Sequence, residues 1–234
     1  MSYEANAHTN QMTILRTLLL KRDAGFAELQ KVTKIESDAA NFHIKQLMSA
    51  NYITKNAAGR YQLTQLGKEY ANRMDTDENV IEKQPKLSVA IIVENDKGEM
   101  LAQNRLKHPY FGYWGRITGK IRWGETVLDA AARELMEEAG LSADLEMRGI
   151  YHKTDVLKGT GELLEDKYFC LVYGSNPRGE LIKAGEGHEN RWMTNSELYA
   201  MPETFKSVPE ITALACGNNF AFVEKTYEYD ASEY

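Results

Sequence analysis

The chain contains no run of 18 apolar residues, so no membrane-crossing helix is expected. Its opening residues lack a basic segment followed by an apolar one, so they do not read as a secretory leader, and the expected compartment is the cytoplasm. Only two cysteines are present, too few for a disulfide framework or a cysteine-rich metal site. Cys170 and Cys216 stand among apolar neighbours, as buried free thiols would in a reducing compartment. Strong basicity is also missing. The formal net charge is −6, and a mild basic excess is confined to residues 1–74, with 10 Lys and Arg against 6 Asp and Glu. That excess permits nucleic-acid contact without requiring it. The length of 234 residues and the ordinary composition fit one or two globular domains.

What the chain does have is concentrated in residues 119–141. Gly119 is followed after five residues by Glu125, then after seven by Arg133-Glu134, and then by Glu137-Glu138 and Gly140. Seven fixed identities at fixed spacing arise by chance about once in 10^8 starts, at roughly 7% per residue type. Thr126 or Glu125 can begin a helix here, with Val127, Leu128, Ala131 and Leu135 as its apolar stripe and Gly140 as its C-terminal glycine. Helical spacing then places Glu134, Glu137 and Glu138 on one face. They fall in the last turns, where the helix dipole disfavours negative charge. A hard divalent cation, Mg²⁺ or Mn²⁺, resolves this conflict and leaves coordination sites for a phosphate.

This pattern resembles the Nudix box. The resemblance extends over about residues 86–225 and implies an α/β/α sandwich with a mixed sheet, built to hold a metal ion against a pyrophosphate. It makes Glu134, Glu137 and Glu138 metal ligands, with the Thr118 carbonyl as a backbone ligand. Glu125 and Arg133 become an ion pair that orients loop and helix. Nudix hydrolases often carry a further glutamate shortly before a strand bearing Trp. Glu186 and Glu189, upstream of Trp192, both fit, and Glu186 is preferred because glycines flank it.

The remainder of this half reads as strands and loops. Leu87 to Val93 is a continuous apolar run, as in a buried strand, and Glu99 to Arg105 returns after the turn at Asn95–Gly98. The aromatic and basic run from Lys107 to Arg116 has two readings. Trp114 could stack on a base while Arg116 and Lys107 hold phosphate, or the rings could pack beneath the sheet. Strands are expected at Met147–Asp155 and Lys167–Tyr173, an exposed loop at 158–166, and a frayed acidic tail at 226–234.

The first 74 residues form a separate unit. Met12, Leu15, Leu18 and Leu19 mark a first helix, and Phe26, Leu29 and Val32 the inward face of a second beginning at Gly25. Ser37 can cap a third helix with Ala40, Ile44, Leu47 and Met48 inward. A hairpin through residues 52–63 follows, and Thr64 can cap a last helix. This order is similar to a winged helix. The resemblance implies DNA binding, with Asn41 and Lys45 on the third helix and Lys55 and Arg60 on the wing, in a protein that dimerises. The bland alternative is a dimerisation or covering module. Residues 75–86, acidic and containing Pro85, read as a linker to a domain at 87–225.

The expected function is Mg²⁺-dependent hydrolysis of a pyrophosphate bond in a nucleotide-type substrate. The alternative is a transcriptional regulator that senses such a ligand. Val156 and Lys158 stand where the resemblance would place residues selecting ADP-ribose or dinucleoside polyphosphates, which leaves nucleoside triphosphates and sugar nucleotides open.

Overall fold

The structure is a computed structural model describing residues 8–75, 80–81 and 83–234. It divides into two compact units, Met1–Gln84 and Pro85–Tyr234. No helix among the described residues is long and apolar enough to cross a membrane.

The first unit runs α1 (Thr9–Leu19), α2 (Phe26–Thr33), α3 (Ser37–Ser49), β1 (Ile53–Lys55), β2 (Tyr61–Leu63) and α4 (Gln65–Ala71). Leu15, Leu18, Leu29, Ile44, Leu47 and Ile53 form its core. Thr64 caps α4 by accepting a hydrogen bond from the Gly67 amide at 3.0 Å. Three sequence expectations shift. Glu36, rather than Ser37, occupies the cap position of α3. Val32 is exposed because Thr33, one turn after Leu29, takes the inward place and returns its hydroxyl to the Leu29 carbonyl. Met48 is exposed because Leu47 holds the core position beside it. After α4, β3 (Met74–Asp75) pairs antiparallel with β4 (Val80–Ile81), so part of the segment read as a linker is paired strand. Residues 76–79 and 82 of that segment lie outside the described residues.

The second unit contains β5 (Lys86–Val93), β6 (Met100–Arg105), β7 (Trp114–Gly115), β8 (Ile117–Lys120), α5 (Val127–Ala139), β9 (Leu141–Leu157) and β10 (Leu163–Gly179). It continues with β11 (Ala184–Gly185), β12 (His188–Met193), α6 (Asn195–Tyr199), α7 (Val208–Cys216) and β13 (Ala221–Tyr229). A mixed sheet has the order β13-β9-β10-β5-β8, with β10 parallel to β5 and β13 parallel to β9. A second, antiparallel sheet has the order β11-β12-β6-β7.

The unbroken apolar run in β5 is explained by burial on both faces. Val89, Ile91 and Val93 share a core with Ala131, Leu135 and Ala139 of α5. Ala90 and Ile92 turn the other way, towards Ile211 and Ala215 of α7. The result is the expected α/β/α sandwich. Leu128 lies outside the α5 stripe and is exposed, since Ala130 and Ala131 already fill the face beneath it. Cys216 is also exposed, on the outer side of α7, while Cys170 is buried, and both thiols are free.

Two expectations about β structure are corrected. β9 and β10 are each 17 residues long and pair from Leu141↔Gly179 to Val156↔Leu163, so residues 163–166 of the segment read as a loop are strand and only residues 158–162 turn. The segment 226–234 is not frayed. Residues 226–229 complete β13, Tyr229 is fully buried, and Glu233 accepts a hydrogen bond from the Tyr113 hydroxyl at 2.7 Å. Alternate tyrosines turned inward outweigh the solvation of the acidic residues between them.

Candidate active site

The site is assembled by a loop, a helix and one ion pair. Thr126 caps α5 by accepting from the Asp129 amide, and Gly140 ends it in the left-handed conformation at φ 69°. Arg133 grips Glu125 with both arms of its guanidinium, at 2.7 and 2.9 Å, and donates to the Lys120 carbonyl at 3.0 Å. Glu125 in turn accepts from the Arg122 amide at 2.9 Å. The loop between β8 and α5 is thereby tied to the helix it precedes. Arg133 also donates to Glu134 (2.7 Å) and Glu137 (3.1 Å). Three carboxylates are thus gathered around one cation and its neighbour Arg122.

The Arg133 guanidinium and the Arg122 amide hold the Glu125 carboxyl at a pKa of about 2, against an ordinary 4.5. A carboxyl with a depressed folded-state pKa contributes stability that is complete above the unfolded value and lost as pH falls through the folded one. Wild-type protein is therefore expected to lose stability between pH 4.5 and 2 more steeply than Glu125→Gln, which is already weaker at neutral pH. Urea midpoints across that range would show it, and parallel curves would remove the ion pair from the account.

Gly119 lies on β8 opposite Val89. A Cβ built there would sit 1.9 Å from the Glu134 carboxyl carbon, so the missing side chain is the space Glu134 occupies. Glu134 and Glu138 both face a cleft of about 590 Å³ whose other walls include Arg105, Lys107, Thr118 and Lys167. Glu137 is half exposed, pairs with Arg133 at 3.1 Å and does not line the cleft. A smaller cavity of about 90 Å³ opens from the same place, sharing Arg105, Thr118, Lys167 and Phe169.

Among the described residues, no three His, Cys, Asp or Glu side chains converge as a ready-made metal cage. The donor chemistry nonetheless suits Mg²⁺, which takes one or two carboxylates and fills its octahedron with water and substrate phosphate. The Gly119 cradle presents Glu134 for this, and the Thr118 carbonyl belongs to the same strand.

The other expected residues fare differently. Lys107 lines the cleft. Arg116 is buried, and its donors go to Thr212, the Leu101 carbonyl and Asn195, so it braces the fold rather than holding phosphate. Trp114 is packed with Ala102, Met193 and Val208, with Arg191 over its ring, and is not a stacking platform for substrate. Glu186 stands exposed in the turn before β12, and Glu189 accepts from Asn104 and Arg191. Neither lines the cleft. Alternation along β12 is the reason, since the register that turns His188 and Asn190 inward turns Glu189 away.

Of these two, Asn190 was missed by sequence reasoning, as were Gln103 and Glu165, while His188, which reads in the sequence as an alternative catalytic base or an exposed loop histidine, is buried. Gln103 donates to the Glu138 carboxylate at 2.7 Å. His188 and Asn190 bond the Glu138 carbonyl at 3.0 and 2.7 Å, which fixes the end of α5. Glu165 bridges Lys86 and Lys167 at the cleft wall. The only signal for them was the alternation of polar residues on β6 and β12, which looks the same for any half-buried strand.

In the first unit, Lys45 is exposed and Asn41 half buried on α3. Lys55 is exposed near the Tyr61 ring. Arg60 is not free for a phosphate, because its guanidinium is paired with Asp23 and Glu28.

An α/β/α sandwich that presents a glutamate-bearing helix to a cationic cleft is the architecture of a Nudix domain. The NUDIX domain family model matches residues 84–213, more than half of the chain, and the chain belongs to that family. A bacterial isopentenyl-diphosphate Delta-isomerase from Serratia proteamaculans is 30% identical over 141 residues, covering 53% of this chain and 76% of that protein. The mouse oxidized purine nucleoside triphosphate hydrolase is 40% identical over 74 residues, 31% of this chain and 47% of that protein. The RNA pyrophosphohydrolase of Ruthia magnifica is 44% identical over 57 residues, 24% of this chain and 30% of that protein. The latter two alignments span less than half of those relatives. The crystal structure of the mutator MutT protein from Bacillus halodurans shares the fold, with a TM-score of 0.52 and 19% identity over 64% of this chain and 93% of that one. Two of these relatives are hydrolases of phosphate anhydrides by name and the third is an isomerase, and this chain shares with them the Nudix domain.

Proposed function

We propose that the second unit hydrolyses, with Mg²⁺ or Mn²⁺, the pyrophosphate bond of a nucleoside diphosphate linked to another group. One observation carries this reading: Glu134 and Glu138 share a cleft with Arg105, Lys107 and Lys167. Carboxylates alone would repel a polyphosphate and cations alone would not activate water, whereas both around one space suit a metal-bridged anhydride. Glu134 and Glu138, with the Thr118 carbonyl, would hold the ion, whose charge would offset that of the diphosphate. Lys107 binds and orients the phosphates, and Lys167, paired with Glu165, adds positive charge to the cleft wall. Glu137, half exposed and next to the ligand pair, accepts the proton of the attacking water. No covalent protein intermediate is required.

The test is a panel of nucleoside triphosphates, sugar nucleotides, ADP-ribose and NAD-type dinucleotides with and without Mg²⁺, read as phosphate and nucleotide release. Metal-dependent turnover of one class, lost in Glu137→Gln, supports the reading. Full activity in that variant would end it.

The first unit supports a second role. Its order of three helices, hairpin and helix resembles a winged helix, and α3 offers Asn41 and Lys45, with Phe42 more than half exposed between them. We infer that this face contacts DNA, in a protein acting as a dimer, and that a nucleotide bound in the second unit could regulate that contact. DNA affinity should then fall with salt, and Lys45→Ala should reduce the log–log slope by about one. A slope unchanged by that substitution argues instead for a covering or dimerisation module.

A further inference from the structure

The small cavity beside the catalytic cleft is chemically one-sided. Its walls are Tyr110, Phe169 and Phe205, its floor Ala90, Val208 and Ile211. Arg105, Arg116, Lys153 and Lys167 also line it, and no carboxylate does. Its volume of about 90 Å³ is several times what one water needs. Phosphate would meet an apolar floor. A group bearing only hydrogen-bond donors would find cations and ring faces, with only the neutral Gln103, Thr118 and Ser207 side chains to accept from it.

Most of these cations are already committed. The Arg116 donors are used within the fold, Arg105 donates to the Pro109 and His108 carbonyls, and Lys167 pairs with Glu165. Lys153 differs. Its side chain is 7% exposed and its ammonium meets one carboxylate, Asp155, at 2.7 Å. It is enclosed by the rings of Tyr110, Phe205, Tyr227 and Tyr229, each centroid within 5.3–5.9 Å. An ammonium has three N–H donors, and ring faces attract the cation without accepting a directed hydrogen bond as a carbonyl does. Lys153 is therefore a fixed donor in the cavity wall, oriented by Asp155, which Tyr110 holds at 2.8 Å.

We propose that Lys153 determines base specificity by donating a hydrogen bond to a ring carbonyl, so that the preferred substrates carry an oxo-substituted base rather than an amino-substituted one. This rests on the reading of the cleft as a site for nucleotides. The aromatic walls receive the flat ring, the Lys153 ammonium receives its carbonyl oxygen, and an exocyclic amino group at that position would set donor against donor. Such a mismatch leaves a buried polar group unpaired, which is how hydrogen-bonding sites reject near-isosteres.

The experiment compares two pairs differing at that group, UTP with CTP and ITP with ATP, and adds isopentenyl diphosphate as an alkyl competitor for the same apolar walls. Steady-state kcat/KM is measured with Mg²⁺ for the full chain, Lys153→Met, and Lys153→Met with Asp155→Asn. The double variant guards against an uncompensated buried carboxylate. Binding of the same ligands is measured in a Glu137→Gln background with and without Lys153→Met. The oxo member of each pair should be preferred about ten- to a hundredfold, the difference lying in KM. Both Lys153 variants should abolish the preference by weakening the oxo member. If the full chain turns over none of the nucleotides, yet the Glu137→Gln chain shows a binding preference that needs Lys153, the hydrolytic reading fails and this one stands. A preference unaffected by Lys153→Met, a preference for the amino members, tighter binding of isopentenyl diphosphate than of any nucleotide, or no nucleotide binding would overturn it.

Discussion

Glu138→Gln is expected to lower turnover by at least about 10²-fold while the melting temperature stays within about 4 °C of wild type. The floor on the kinetic effect comes from comparison. Removing a group that merely supports a metal ligand commonly costs 10–100-fold, and Glu138 is proposed as a ligand itself, whose charge the change removes. The small thermal effect follows from the site's own electrostatics. Glu134, Glu137 and Glu138 lie at one end of α5, with Arg133 and Arg122 to offset them. Neutralising one relieves repulsion at the helix's negative end. Glutamine also keeps an oxygen to accept the Gln103 amide. Turnover assays beside thermal melts decide the matter. A stable variant with normal turnover would remove Glu138 from the chemistry, and a collapsed one would make it a structural residue.

Gly119→Ala should be nearly as damaging to activity, for a steric reason. The added methyl would fall 1.9 Å from the Glu134 carboxyl carbon and 2.1 Å from its Cγ. Glu134 is a flexible side chain, so it can swing away, but in doing so it breaks its 2.7 Å contact with Arg133 and leaves the cleft. Turnover should fall by about 10²-fold, the metal concentration for half-maximal rate should rise, and stability should drop by about 1–3 kcal/mol. A metal requirement identical to wild type would show that Glu134 need not occupy that place.

The glutamate-bearing helix was legible in the sequence because it is local. Spacing alone puts Glu134, Glu137 and Glu138 on one face, and the Glu125–Arg133 pair is closed by the same short segment that encodes it. The cleft's far walls were not legible. Arg116 reads as a phosphate ligand until Thr212 and Asn195, distant in sequence, turn out to take its donors. Trp114 reads as a stacking ring until Met193 and Val208 cover it. Lys153 and Asp155 resemble any alternating polar pair, and only β13 and the Tyr110 loop make them buried. Charged residues in an exposed-looking tail likewise concealed the inward period of Tyr227 and Tyr229.

The placement of β13 also has consequences for how the molecule is made. In the first unit, neighbouring helices and a short hairpin can meet as soon as they leave the ribosome, and such local contacts form quickly. The second unit must wait. β5 has its parallel partner in β10, joining Lys86 to Lys167, and β9 stays uncovered along one edge until residues 221–229 arrive to zip beside it. During that interval the edge of β9 is an open template for another strand. A nascent chain halted before residue 221 should therefore carry a folded first unit and an aggregation-prone second one, detectable as a protease-resistant N-terminal fragment.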